Sequence, residues 1–236
     1  DHWDYDATTH KLTWTIAQLD TTDTISYTVT VNDKATDVVL RNHATGGTEG
    51  PCVAGCSTEH VVPEITKTFS SARQHLNGGV WDGTWDVTYV VSVHNPSDDT
   101  ALTYNLTDTP GFPSDVTVNG GTVISALNQA DGATSGTQIT PLVNAWHGAP
   151  DNQLEIINGR SIPTSSSDIY TVVVNATVPP QPSAPACGTG PGKGFYNDAT
   201  ALFGTSSFDA NACDPIPSQP DVTIAKTVQS LSQNDQ

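Results

Sequence analysis

Methionine is absent from the 236 residues, Lys and Arg number 8 against 25 Asp and Glu, and no stretch approaches the ~20 apolar residues a helical membrane span requires. Each shortage excludes something. A formal charge of −17 repels phosphate backbones and anionic lipid surfaces, which are held by Lys and Arg, so neither nucleic acid nor membrane insertion is expected of this segment. The chain opens on DHWDYDATTH rather than on a basic stretch followed by an apolar one, so no signal peptide is expected within it. GxSxG and HExxH spacings are missing, as is any DxDxDG-type loop, and the 7 histidines are scattered without ligand spacing. An enzyme is therefore not expected, nor a metal or a cofactor.

Thr, Ser, Val, Asn, Asp and Gly dominate what is present, and Thr and Val suit a pleated, half-buried surface. Apolar and polar residues alternate with a period of two in WDVTYVVSV (85–93), ALTYNLTD (101–108) and DIYTVVVNATV (168–178). Turn-forming residues cluster between these runs, at HNPSDD (94–99), TPGFPSD (109–115), VNGG (118–121) and the Pro/Gly-rich stretch 179–194. No segment carries a helical apolar period. The pattern predicts an all-β protein made of tandem immunoglobulin-like β-sandwich repeats.

The tandem reading comes from self-similarity. Residues 19–32 match 162–175, so that Tyr27 falls on Tyr170 and Asn32 on Asn175, and Trp3 falls on Trp146 at the same offset. Asn42 of RNHATGG matches Asn197 of YNDATAL, and Lys67 of PEITKTFSS matches Lys226 of PDVTIAKTVQS at slightly larger offsets, as loop insertions would produce. Residues 1–62 thus read as the C-terminal part of one repeat, 63–217 as a complete repeat and 218–236 as the first strand of another. HVVPEIT (60–66) and DPIPSQPDVTI (214–224) read as stiff joints. The excess length of the complete repeat is expected in surface insertions, chiefly 119–160 and 179–194.

Four cysteines fall in two local pairs, Cys52 with Cys56 and Cys187 with Cys213. Two groups so far apart, with no CxxC, fit zinc spacing poorly, so two disulfides in an oxidising compartment are expected.

Taken in order, ITKTF (65–69), YVVSVHNPSD (89–98), NLTDTPGF (105–112), the segment running TIAQLDTTDTISYTVTVN and the closing NxAT strand resemble a bacterial surface-protein repeat, the domain of unknown function eleven type. More broadly they resemble the stalk domains of Gram-positive pilins and adhesins. That resemblance implies an extracellular, cell-surface module of a stalk, fimbria-like filament or adhesin. Its partners would be neighbouring repeats of the same protein or copies in a filament, with a host or cell-surface ligand as a further candidate. It also implies chemistry, because some pilin domains form a spontaneous amide between a strand Lys and an Asn, with a nearby acid as proton shuttle. The corresponding order here is Lys67, Asp108, Asn197. Burial disfavours the charged forms of amine and acid alike, which is what such a reaction needs. The ordinary alternative has Lys67 in solvent, Asp108 capping the turn before Pro110 and Asn197 bonding to backbone at a strand end. A second functional reading is an adhesive module that binds carbohydrate or host protein through the 119–160 insertion and aromatics such as Trp81, Trp85 and Trp146.

Overall fold

The computed structural model describes residues 2–6, 8–9, 11–15, 36–43, 57–142 and 146–217. Cys52, Cys56 and Lys226 lie outside the described residues. The chain divides into two compact units, Asp1–Ala35 and Thr36–Gln236. In the first, β1 (His2–Asp6) and β2 (Lys11–Thr15) form an antiparallel hairpin with Trp3 opposite Trp14. Its turn is held by Asp6, whose carboxylate accepts from the Thr9 hydroxyl at 2.7 Å and the Thr8 amide at 2.8 Å. Those bonds, the Thr9 hydroxyl's above all, hold the Asp6 carboxyl below its ordinary pKa.

The second unit begins with a hairpin of β3 (Val38–His43) and β4 (Ser57–Val62). Pro63, which has no N–H to give a ladder, separates β4 from β5 (Glu64–Asn77). The strands β6 (Val80–Asn95), β7 (Leu102–Pro110), β8 (Thr117–Ala130), β9 (Thr137–Gln138), β10 (Trp146–His147), β11 (Gln153–Ile162), β12 (Ser166–Thr177), β13 (Asn197–Phe203) and β14 (Ser206–Ala212) follow. They build two five-stranded sheets, ordered β5-β6-β12-β8-β9 and β10-β11-β7-β13-β14. Every pairing is antiparallel. No helix occurs among the described residues.

The sheets form a sandwich because their inner faces are apolar at every second position. From Thr84 to Asn95 in β6, burial alternates without a break, putting Val87, Tyr89, Val91 and Val93 inside. Tyr170, Val172, Val174 and Ala176 of β12 do the same beside it, facing Tyr104 and Leu106 of β7, Ile156 of β11, and Ala199 and Ala201 of β13. Where the sheets meet along one side, edge strand β5 lies against edge strand β14. Each edge is thereby shielded by the other.

Two expectations fail here for one reason. VNGG (118–121) is not a turn, and 119–160 is not a surface insertion; this stretch supplies β8 to one sheet and β10 and β11 to the other. The glycines mark an irregular place in a strand, where the β12–β8 register shifts between Asn175 and Ala176. Gly121 is also a site of close approach: a Cβ there would stand 3.0 Å from Cε3 of Trp146, whose ring lies on the bare backbone. Trp146 is thus a packing residue.

The β3–β4 hairpin meets the sandwich through charge. Arg41 bonds Glu59 at 3.2 Å and also reaches Asp98, while Glu59 accepts from the Ser97 hydroxyl. His94, on the outer side of β6, bonds Asp37 through Nδ1 and Asp131 through Nε2, the latter at 3.2 Å. Burial lowers the His94 pKa, but these carboxylates outweigh it and the net shift is upward.

Candidate covalent cross-link site

The inner face of the sandwich holds three polar side chains where apolar ones would be expected. Lys67 sits on β5 opposite Val91, at an inward position flanked by outward Thr66 and Thr68. Asp108 sits on β7 two positions beyond Leu106, so strand alternation sends it into the same interior. Asn197 opens β13 between Pro110 of β7 and Ala212 of β14. The side chains of Lys67 and Asp108 are wholly shielded from solvent, and Asn197 is fully buried.

The structure brings all three together across the two sheets. The Lys67 ammonium contacts Oδ2 of Asp108, and Nδ2 of Asn197 donates to Oδ1 of the same carboxylate at 2.8 Å. Lys67 Nζ also donates to the backbone carbonyl of Asp198 at 3.1 Å and lies 5.1 Å from the Tyr89 ring centroid. The Tyr89 hydroxyl donates to the Phe195 carbonyl at 2.7 Å, and Phe69 packs edge-on against its ring. Burial pushes the Lys67 pKa down, an effect that Asp108 and Asp198 only partly offset. Burial drives the Tyr89 phenol well up, so it remains a donor. Asn197 Oδ1 is buried without a hydrogen-bond partner. The arrangement sets an amine with a weakened hold on its proton and a primary amide on opposite oxygens of one carboxylate, in a dry interior.

A second buried cluster went unseen in the sequence. Asp168, fully buried on β12, accepts from Arg160 Nε at 2.8 Å and Nη2 at 3.1 Å, from the Tyr104 hydroxyl at 2.9 Å and from Asn128 Nδ2 at 2.7 Å. Tyr104 shares a further bond of 2.7 Å with the Tyr170 hydroxyl. Burial raises both phenol pKa values, and hydrogen bonding to Asp168 raises that of Arg160. The signal was available in DIYTVVV, where Asp168 shares a parity with Tyr170, Val172 and Val174.

Cys187 and Cys213 form a disulfide, as the sequence led us to expect. Among the described residues, two groups place three ligand-type side chains within 4.8 Å of one another: Asp37, Glu64 and His94, and Glu59, Asp98 and Asp99. The first has both imidazole nitrogens engaged by carboxylates, and the second is already served by Arg41.

Fold and site together define an all-β sandwich whose sheets are bridged by a buried amine, carboxyl and amide. No family model and no curated protein matches the chain, so membership in the surface-protein repeat family is not shown. Solved structures similar to it include surface-protein domains of Gram-positive bacteria. The C-terminal domain of the Streptococcus agalactiae AgI/II polypeptide BspA is 13% identical with a TM-score of 0.35, over 67% of this chain and 52% of that one. ACE19, the collagen binding subdomain of Enterococcus faecalis surface protein ACE, is 12% identical at TM-score 0.33, over 64% of this chain and 96% of that one. The full-length major pilin SpaD of Corynebacterium diphtheriae is 12% identical at TM-score 0.33, over 76% and 44%. The chain spans about half the length of the first of these. Likeness at this level fixes no common function.

Proposed function

We propose that residues 63–217 are a module of a secreted cell-surface stalk or filament, made resistant to extension by an amide between Lys67 and Asn197. Residues 1–62 and 218–236 would belong to the flanking repeats. The observation that carries this reading is the burial of Lys67 against Asp108 with Asn197 on the other carboxylate oxygen. An ion pair alone is a poor reason for such burial, since desolvation commonly costs as much as the attraction returns.

The chemistry balances without an outside reagent. With its proton passed to Asp108, the Lys67 amine attacks Cγ of Asn197, the C–Nδ2 bond breaks, and ammonia leaves. Asp108 takes two protons from Nζ at Oδ2, one before the attack and one as the new bond forms, and passes both through Oδ1 to the departing nitrogen, which ends as ammonium, so that the carboxylate is regenerated. The unpartnered Asn197 Oδ1 offers an oxyanion no donor, which favours proton delivery to Nδ2 as the new bond forms. Fixed geometry supplies much of the remaining acceleration.

The bond would join the first strand of one sheet to the penultimate strand of the other. A pull from the chain ends would then bypass residues 68–196. The Cys187–Cys213 disulfide supports an extracellular setting, because such bonds persist in oxidising compartments. The adhesive alternative draws less support, because most of 119–160 lies in the two sheets, Trp146 lies on Gly121 and Trp85 is 9% exposed. An intact mass under reducing conditions, followed by peptide mapping, tests the proposal. Loss of one ammonia with a branched peptide joining Lys67 to Asn197 is the expected result, and an unmodified mass overturns it.

A further inference from the structure

The loop from Val178 to Tyr196 leads straight into Asn197, and its last residues rest on the disulfide. A Cβ on Gly194 would stand 3.1 Å from both sulfurs and 2.7 Å from the Asp214 carbonyl, so the backbone lies directly on the cross-link. Gly194 has φ +49°, a left-handed conformation that glycine takes without cost. Around it, Gly194 N donates to Ala184 O at 2.8 Å, Phe195 N to Asp214 O at 2.7 Å and Ile216 N to Pro185 O at 2.8 Å. The disulfide therefore clips residues 184–187 and 213–216 around the segment that delivers Asn197. Cys213 directly follows Ala212, the ladder partner of Asn197. From Phe195 the connection continues to the amine, since its carbonyl accepts from Tyr89, whose ring lies beside Lys67 Nζ. Phe195 is itself fully buried, 5.2 Å from Phe112 between ring centroids.

We infer that the Cys187–Cys213 disulfide is a positioning device that must close before Lys67 and Asn197 can react, so that oxidation triggers the amide bond. This rests on the Lys67–Asn197 reading. In the disulfide step the two thiols give two electrons and two protons to a low-molecular-weight disulfide. The amide step that follows is redox-neutral and releases ammonia. Without the clip, the 213–216 strap and the Phe195 carbonyl lose their anchor, and amine and amide lose their shared frame. A displacement on the order of 1 Å in a reacting pair slows reaction about 100-fold. The chain would thus stay linear in a reducing compartment, and its cross-linking would be timed to arrival in an oxidising one.

The test uses the full chain carrying Cys52→Ser and Cys56→Ser, so that Cys187 and Cys213 are the only thiols. Protein purified reduced, with folding checked by near-ultraviolet circular dichroism, is mixed with oxidised glutathione. Free thiol and intact mass are then followed together. Ammonia loss is expected to begin only as the thiols disappear, at a rate about 100-fold above that of the reduced protein. Equal rates in the reduced and oxidised protein overturn the inference and leave the cross-link reading intact. An oxidised protein that never loses ammonia overturns both. Should the reduced protein not fold, Cys187→Val with Cys213→Val, which fills the space of the sulfurs without joining the strands, tests the same point. Ammonia release in it should be about 100-fold slower than in the disulfide form, and an equal rate overturns the inference.

Discussion

Asn197→Ala removes the electrophile while leaving the Lys67–Asp108 pair and the disulfide in place, so it isolates what the cross-link contributes. The bond would close a loop over residues 68–196. By the chain-entropy relation for cross-links, such a loop removes roughly 5 kcal/mol of denatured-state freedom. For a domain of this size each kcal/mol moves the melting temperature by about 2–4 °C, so the variant should melt about 10–20 °C lower. The lost amide hydrogen bond by itself accounts for about 1 kcal/mol. Calorimetry on both proteins, each with the disulfide verified, measures the difference. A drop of about 4 °C or less, the size of the hydrogen bond alone, refutes the reasoning.

Arg160→Ala leaves the Asp168 carboxylate buried with only Tyr104 and Asn128 as partners. Because the arginine side chain is 25% exposed and water can partly replace it, the cost should fall at the lower end of ~3–5 kcal/mol in urea unfolding. Adding Asp168→Asn should recover part of it, and full additivity of the two changes would contradict the pairing. His94 has a pKa above its ordinary 6.5, so the stabilisation it gives is complete below that value and fades as pH rises through the raised one. Protection factors of the β3 and β4 amides, which discount the intrinsic rise of exchange with pH, should fall across that interval in the wild type but not in His94→Gln. Gly111→Ala would set a Cβ 2.7 Å from Cβ of Pro191 and 3.0 Å from Tyr196. It should cost about 1–3 kcal/mol by chemical denaturation through displacement of the Pro191 loop.

Most strands were legible because period-two burial writes itself into runs such as WDVTYVVSV and DIYTVVVN, with β6 and β12 coinciding closely with them. The trio was legible for a different reason. Its order, Lys67, Asp108, Asn197, came from the resemblance to pilin domains, in a chain where Lys67 and Lys226, two of only 8 basic residues, fall at the same place in successive repeats. VNGG was misread because glycines at a strand irregularity look like turn glycines until the ring of Trp146 is seen to need the space, and 119–160 because its strands lack steady alternation. The parity of DIYTVVV marks Asp168 alone; its partners come from β7, β8 and β11, and no local pattern connects them to it. His94 read as part of a turn, yet it ends an outward-facing row on β6, and its partners Asp37 and Asp131 are far away in sequence.

The disulfide also bears on how the molecule would respond to damage. A protease that cuts anywhere in residues 188–212 leaves two pieces still tied through Cys187 and Cys213. The Pro/Gly-rich loop contributes its largely exposed residues 188–193 to that stretch, and with Lys67 bonded to Asn197 those same residues also fall within the larger loop. A nick there would leave its ends held together through two routes, and through the amide alone after reduction, so the molecule would remain a single covalent object in either state.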